Sequence, residues 1–131
     1  MNTQLHRARY LQDAIETASP ARLLTMLYDR LVRDIAGAEL AIATATYAEA
    51  NTLLLHAQDI VLELQTSLDM RSWSGAQGLS ELYTYLYGEL IAANTTKDAS
   101  RLAVCLRIGE PLRSAWHEAA AIAAGAVAQA V

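Results

Sequence analysis

Apolar residues recur at intervals of three and four along four stretches of the chain, and this spacing places them on one face of an α-helix. The first stretch begins at Ser19-Pro20, where the serine can accept hydrogen bonds from free backbone N–H groups and the proline suits the first turn. The pattern predicts a helix of about 24 residues that fades between Ala43 and Ala45. Its apolar positions are Leu23, Leu24, Leu27, Leu31, Ile35, Ala38 and Ile42.

Two further helices follow. Thr46 with Glu49 three residues later forms a capping-box pattern, and it predicts a second helix from about Tyr47 to Leu68. After the turn-rich stretch 69–78, a third periodic segment runs from Leu79 and ends at Asn94-Thr95-Thr96. Because the link before Thr46 is short, the first two helices are expected to be antiparallel neighbours.

The fourth periodic segment runs from Lys97 to about Ala120. Gly109 and Pro111 interrupt it, so a kink is predicted near Ile108. The alanine-rich tail 119–131 either prolongs this helix or frays. The four segments predict an all-α fold, an antiparallel up-down four-helix bundle with a short N-terminal segment packed across it.

Composition supports a single helical domain over residues 1–131. The chain is 53% hydrophobic and has only two prolines. Its formal charge is −4, and Lys97 is the only lysine, so nucleic acid is not an expected partner. The single cysteine, Cys105, cannot form a disulfide within the chain and is expected to act as a small hydrophobe. No stretch predicts a signal peptide or a membrane span, and the lone cysteine suits a reducing compartment.

Candidate chemistry is sparse. His56, Asp59 and Glu63 fall on one side of the second helix and could touch a metal ion, but no Glu-x-x-His pair completes a di-iron set. A solvated charged face is favoured over a metal site by about ten to one. His56 could also accept a phosphoryl group, although the lysine that would steady the phosphate is available only as Lys97 on another helix. The sequence therefore predicts no enzyme, no metal and no cofactor, with a phosphotransfer or metal-binding bundle as the alternative.

Apolar helix surface is in excess. Leu53 to Leu55 are consecutive, and consecutive helical residues point about 100° apart, so not all of them can face inward. Grooves that expose Leu, Met and Tyr can hold another amphipathic helix. The competing interpretations are an ordinary core, a cover formed by the N-terminal segment, and a self-associating bundle; a partner groove is weighted over plain core at about two to one.

Residues 1–16 form a weakly amphipathic segment that is too short to persist as a free helix. Tyr10 carries a large ring and a hydroxyl that prefers water, which suits the rim of a groove, although an ordinary packing contact is about as probable.

Several strings, in order and spacing, resemble the flagellar secretion chaperones of the FliS type. They extend over residues 10–118 and are Tyr10 with Ile15, Thr17-Ala-Ser-Pro20, Leu24-Thr-Met-Leu-Tyr-Asp29, Ala50-Asn51, Ala57-Gln-Asp-Ile-Val61, Glu63-Leu64, Ser67-Leu-Asp69, Leu82-Tyr-x-Tyr-Leu-Tyr87, Leu90, Ala93-Asn94 and Trp116. Two departures stand out. Arg30 replaces a common glycine, and Gly109-Glu110-Pro111 interrupts a helix that is usually continuous.

The resemblance implies a four-helix bundle without an active site that binds the C-terminal segment of flagellin and passes it to an export-gate component of the flagellar type III secretion system. Free protein is expected to be a monomer or a weak homodimer. Carried onto this chain, the family's N-terminal flap corresponds to Tyr10 and Leu11. The expected partner-binding residues are Tyr10, Leu11, Leu24, Leu27, Tyr28, Gln58, Ile60, Tyr83, Tyr87, Leu90 and Asn94, several of which must instead belong to the core.

Overall fold

Four α-helices account for almost all of the described chain. The computed structural model describes the backbone of residues 20–130 and the side chains of residues 21–126. Within that range no strand occurs. The helices are α1 (Pro20–Ala43), α2 (Tyr47–Ser67), α3 (Ala76–Thr96) and α4 (Ala99–Ala130). The predicted N-terminal segment and the Ser19 cap lie outside the described residues.

The helices form a ring in chain order, in which α1 packs on α2 and α4, and α3 packs on the same two helices. Gln65 near the end of α2 donates to the carbonyl oxygen of Ser80 near the start of α3, at 3.1 Å. Asn94 near the end of α3 donates to Asn51 near the start of α2, at 2.8 Å. These bonds require α2 and α3 to run antiparallel, and the architecture confirms the predicted all-α four-helix bundle.

The core lies between the four inward faces and contains two tyrosines at its centre. Tyr28 on α1 and Tyr83 on α3 come from opposite corners of the ring, and their hydroxyl oxygens are 2.5 Å apart. Burial raises the pKa of both phenols, so both stay neutral and can share this hydrogen bond. The largest other fully buried side chains are Leu31, Ile35, Leu54, Val61, Leu64, Leu86, Leu90, Leu102 and Cys105.

Cys105 packs as a hydrophobic residue. Its side chain is fully buried, and burial, with the nearby Glu89 charge, raises the pKa of the thiol to about 11. A thiol in this state is almost fully protonated at neutral pH and is a weak nucleophile.

The α1–α2 and α3–α4 links are short, and each contains a residue with a positive φ angle. Ala45 (φ 57°) and Lys97 (φ 53°) adopt left-handed backbone conformations. The capping-box prediction gave the correct start for α2 but the wrong contact: Thr46 makes no side-chain capping bond, and its hydroxyl lies 2.9 Å from that of Thr44. The Thr46 hydroxyl therefore bonds to Thr44 and not to the free N–H groups in the first turn of α2.

Helix α4 continues through Pro111 as far as Ala130, so Gly109 and Pro111 do not end the helix, and the kink near Ile108 stays a prediction. Pro111 is exposed, and its ring can point to solvent while the helix is held by packing on α1 and α3. Gly109 is buried against α1, where a Cβ atom would meet Val32 at 3.6 Å, an ordinary contact. The alanine-rich tail therefore prolongs the helix.

Candidate partner-binding groove

An open groove of about 600 Å³ runs between α1 and α2, and it is called here the α1–α2 groove. Its apolar lining residues are contributed mainly by α1, where they fall within two helical turns. The full lining consists of Leu23, Leu24, Met26, Leu27 and Arg30 from α1, with His56, Ile60, Glu63 and Ser67 from α2.

The groove exposes side chains that would normally be buried. Leu23 and Met26 are 42% and 46% exposed, whereas Ile60, at 6%, forms the floor. Leu24 and Leu27 are half-buried and pack against the core. A contiguous patch of this kind on a small domain is typical of a protein-binding surface.

The two ends of the groove differ in charge. At one end, Asp34 lies beneath Arg30 and His56; it accepts a hydrogen bond from His56 Nδ1, and Arg30 Nε lies 3.6 Å from its other oxygen. The Asp34 side chain is only 5% exposed, whereas Arg30 is 53% exposed. Glu63 and Ser67 form the opposite end. The groove is therefore apolar in the middle, with donors at one end and acceptors at the other.

The contacts of His56 bear on the metal interpretation. Its Nδ1 atom is engaged by Asp34 on the neighbouring helix rather than by an ion shared with Asp59 and Glu63. Over the part of the chain that the structure describes, no group of three or more His, Cys, Asp or Glu residues is arranged to hold a metal ion.

A second groove, of about 550 Å³, lies on the other side of α1 and is called the α1–α4 groove. Asp29 on α1 links the two walls of this groove. One of its carboxylate oxygens accepts hydrogen bonds from Arg113 Nε at 2.6 Å and from His117 Nε2 at 2.7 Å, both on α4. The bond from His117, with a further contribution from Arg113, lowers the pKa of Asp29. The other lining residues are Arg22, Thr25, Met26, Ala120, Ala121 and Ala124.

A smaller cavity of about 210 Å³ has both Trp73 and Trp116 in its lining. Trp73 is half exposed and lies over Gly75, where a Cβ atom would be only 1.9 Å from the indole ring. The glycine is therefore required for the indole to lie in this position. Leu24 and Ser67 line both this cavity and the α1–α2 groove, which shows that the start of α1 meets the end of α2.

The structure separates the sequence-predicted site residues into groups. Leu24, Leu27 and Ile60 line the α1–α2 groove. Tyr28, Tyr83 and Leu90 lie in the core and present almost no surface. Tyr87 is half-buried against the core, Gln58 is 9% exposed, and Asn94 bonds to Asn51 and to Lys97 Nζ. Tyr10 and Leu11 lie outside the described residues.

Sequence reasoning did not select six of the residues that line the groove, namely Leu23, Met26, Arg30, His56, Glu63 and Ser67. A signal for two of them is present in the sequence, because Leu23 and Met26 are three residues apart on the side of α1 next to its buried face. The polar members carry no comparable signal, since charged residues on an exposed helix face are common.

The four helices with their open apolar groove define a small all-α bundle. The family model "Flagellar protein FliS" matches residues 1–123, and the chain belongs to this family. It is 32% identical over 110 residues to the flagellar secretion chaperone FliS of Bacillus subtilis, a match that covers 84% of this chain and 82% of the relative.

Two further comparisons agree. The flagellar secretion chaperone FliS of Campylobacter jejuni is 29% identical over 119 residues, with 90% of this chain and 93% of the relative covered. A solved structure described as a flagellar chaperone from bacteria superimposes with a TM-score of 0.72 over 88% of this chain and 95% of that one, at 19% identity, which supports the fold. No helix within the described part of the chain is long and apolar enough to cross a membrane.

Proposed function

We propose that this chain is a cytoplasmic flagellar export chaperone that binds the disordered C-terminal segment of flagellin. Binding prevents premature polymerisation, and the complex is delivered to an export-gate component of the flagellar type III secretion system. The observation that carries the proposal is the α1–α2 groove, in which Leu23 and Met26 are exposed beside a buried floor. Membership of the FliS family supports the flagellar role.

The groove suits a client that folds as it binds. Ordering a disordered segment consumes part of the interaction free energy, so an extended apolar contact is needed. Exposed hydrophobic side chains continue outside the groove on α2 and α3, and they give the client further surface to follow. These residues are Leu55, Leu62, Tyr85 and Ile91.

The N-terminal residues Tyr10 and Leu11 are proposed to form a flap over part of the binding surface, which the client or the export machinery displaces. This proposal comes from the family resemblance. If a variant that lacks residues 1–16 binds flagellin and the export-gate component with unchanged affinity, the flap has no role.

The proposed activity is binding without catalysis. Tyr28 and Tyr83 bond to each other in the core, and His56 Nδ1 is occupied by Asp34, so these groups have structural partners. A positive result in a phosphorylation assay on His56, or in a metal-binding assay, would favour the alternative function over this one.

The test is to titrate the protein with a flagellin C-terminal segment, using calorimetry and far-ultraviolet circular dichroism. The expected result is saturable binding, with more helix in the mixture than in the sum of the two components. In parallel, the protein should slow the polymerisation of purified flagellin in a stoichiometric manner. The variant Leu40→Asp should bind as the wild-type protein does, because Leu40 is 66% exposed on α1 and does not line the groove.

The absence of binding, or binding without slower polymerisation, would contradict the proposal. Sedimentation of the free protein and of the mixture tests the self-associating alternative. A monomer or a weak dimer that forms a complex with flagellin agrees with the proposed function, whereas a stable dimer that buries the groove and excludes flagellin contradicts it.

A further inference from the structure

The cavity of about 210 Å³ is called here the tryptophan cavity, because both tryptophans of the chain line it. Trp73 lies in the loop between α2 and α3, and Trp116 lies on α4. Tyr83 of α3 contributes a third aromatic ring to the lining. The tertiary fold therefore brings aromatic rings from three separate elements to one small space.

The loop keeps the Trp73 indole at this cavity although half of the side chain stays in water. The carbonyl oxygen of Trp73 accepts a hydrogen bond from the N–H group of Ala76, the first residue of α3, at 3.2 Å. The indole lies so close to Gly75 that a Cβ atom there would be 1.9 Å from the ring. The glycine leaves the room that the indole occupies, and the exposed half of the ring system is available to a ligand.

A carboxylate without an ion-pair partner lines the same cavity. Asp69 Oδ1 accepts a hydrogen bond from the N–H group of Arg71 at 2.9 Å, and the carbonyl oxygen of Asp69 accepts one from the Ser72 hydroxyl at 2.7 Å. Among the residues that the structure describes, no basic side chain forms an ion pair with Asp69. The loop therefore presents an uncompensated negative charge beside the aromatic rings.

Aromatic rings and a carboxylate together suit an organic cation. The face of an aromatic ring carries partial negative charge and attracts an ammonium or guanidinium group, and tryptophan attracts it most strongly. Apolar walls also remove the methylene groups of an alkyl chain from water. A metal ion is a poorer match, since no group of three His, Cys, Asp or Glu residues in the described part of the chain is arranged to hold one.

We propose that the tryptophan cavity binds the alkylammonium group of a lysine side chain, with the three aromatic rings as its walls and Asp69 as its counter-ion. Lysine fits better than arginine. A guanidinium group pairs best with two free carboxylate oxygens, and one oxygen of Asp69 is already bonded to the Arg71 backbone. An ammonium group is a point charge that needs only the other oxygen.

The lysine belongs to a bound polypeptide. Leu24 and Ser67 line both the tryptophan cavity and the α1–α2 groove. Because the two spaces share these residues, a polypeptide that lies against α1 and α2 can extend a long side chain into the cavity. The inference goes beyond the proposed function by specifying the chemistry of one anchoring side chain. It does not depend on flagellin being that polypeptide, and its test uses none.

Tryptophan fluorescence reports on the cavity directly, because the chain has no tryptophan elsewhere. The full chain is titrated with three small probes, namely N-acetyl-lysine methylamide, its Nε-trimethyl derivative, and the uncharged analogue in which carbon replaces the trimethylated nitrogen. The third probe has the shape of the second without its charge. Calorimetry on the same mixtures gives the dissociation constants independently.

The expected result is saturable binding of both cations, with the trimethyl derivative bound more tightly because its methyl groups cover apolar surface of the rings. The uncharged analogue should bind about ten-fold more weakly than the trimethyl derivative. Equal affinity for these two probes would make the cavity a simple hydrophobic pocket and overturn the inference, as would the absence of binding by the cations. Because flagellin takes no part, either failure leaves the proposed function intact.

Two variants separate the charge from the ring. Asp69→Asn should weaken binding of the trimethyl probe by about two- to five-fold, and its amide oxygen can still accept the Arg71 N–H, so the loop is retained. Asp59→Asn is the matched control, because it makes the same exchange at an exposed position of α2 outside the cavity and should leave affinity unchanged. Trp73→Leu removes a half-exposed ring and should abolish measurable binding, while the melting temperature changes little. Unchanged affinity in Asp69→Asn or Trp73→Leu, or an equal loss in Asp59→Asn, would overturn the inference.

Discussion

The two grooves beside α1 are similar in size and different in chemistry. The α1–α2 groove and the α1–α4 groove measure about 600 and 550 Å³, and Met26 lines both. Leucine and isoleucine line the first, whereas alanine lines the second and Asp29 bridges it to Arg113 and His117. The available volume therefore does not distinguish a docking surface from a packing seam.

The difference lies in where apolar surface is left uncovered. In the α1–α4 groove the small alanine side chains offer little area for a partner to bury, and the charged residues already bond across the seam. In the α1–α2 groove large side chains remain in water, so a guest gains free energy by covering them. The α1–α4 groove therefore holds two helices together, whereas the α1–α2 groove is suited to a third helix.

The largest expected effect comes from placing charge in the α1–α2 groove. Leu23→Asp with Met26→Asp should weaken binding of the flagellin segment by about 10-fold or more, because full burial of such a side chain contributes about 1.5–3 kcal/mol and somewhat under half of each is still exposed. Calorimetric titration measures the loss, and the melting temperature should change little because both residues are already exposed. Leu40→Asp on the same helix should bind normally; equal losses in the two proteins would show that the groove is not the site.

The tyrosine pair in the core should have the next largest effect, on stability. Tyr28→Phe leaves the buried Tyr83 hydroxyl without its partner and should lower the free energy of unfolding by about 1–3 kcal/mol. Urea denaturation measures this value. In the double variant with Tyr83→Phe, neither phenol hydroxyl is left in the core without the other, so part of the stability should return. Strictly additive losses would contradict a direct interaction between the two hydroxyls.

The ion pairs of the α1–α4 groove should have a smaller effect, confined to stability. Asp29→Asn should lower the free energy of unfolding by at most about 1 kcal/mol, because the Asp29 side chain is 42% exposed and its ion pairs are screened by solvent. Binding of the flagellin segment should be unchanged. A larger loss of affinity than of stability would place part of the binding surface on this side of α1.

The interactions of Asp29 with Arg113 and His117 predict that the stability of the protein depends weakly on pH. Since the pKa of Asp29 is lowered in the folded state, its contribution to stability is present above the unfolded pKa of about 4 and is lost as the pH falls through the lower folded value. Lowering the pH from 5 to 2 should therefore reduce the free energy of unfolding slightly more for the wild-type protein than for Asp29→Asn. Denaturation at each pH measures this difference. Identical pH profiles would show that the pair contributes nothing.

The smallest effect is expected when the α1–α4 groove is filled. Ala121→Leu adds apolar bulk to an exposed position in its lining and should leave affinity for the flagellin segment within about two-fold of wild type, because surface substitutions of this kind change free energies by about 0.5 kcal/mol. Calorimetric titration provides the measurement. Marked loss of binding would show that both sides of α1 are covered by the client.

Hydrophobic periodicity determined the four helices, their order and most of their ends, because the three-and-four spacing is a local property of each segment. The start of α1 at Pro20 and the end of α3 at Thr96 agree with the sequence patterns. Local reasoning failed at the start of α2, where Thr46 makes no side-chain capping bond. Pro111 lies within α4, which packs against two neighbouring helices, and the kink near Ile108 stays a prediction.

Only the tertiary structure decided which apolar residues belong to the core and which remain exposed. Tyr28 and Leu27 are adjacent in sequence, yet the tyrosine lies at the centre of the bundle and the leucine lines the groove. The pairing of Asp34 with His56 and of Asp29 with His117 likewise joins residues on different helices. The periodicity of one helix shows that it has an apolar face. How much of that face a neighbouring helix covers depends on how the helices pack. The part that stays uncovered determines where a partner can bind.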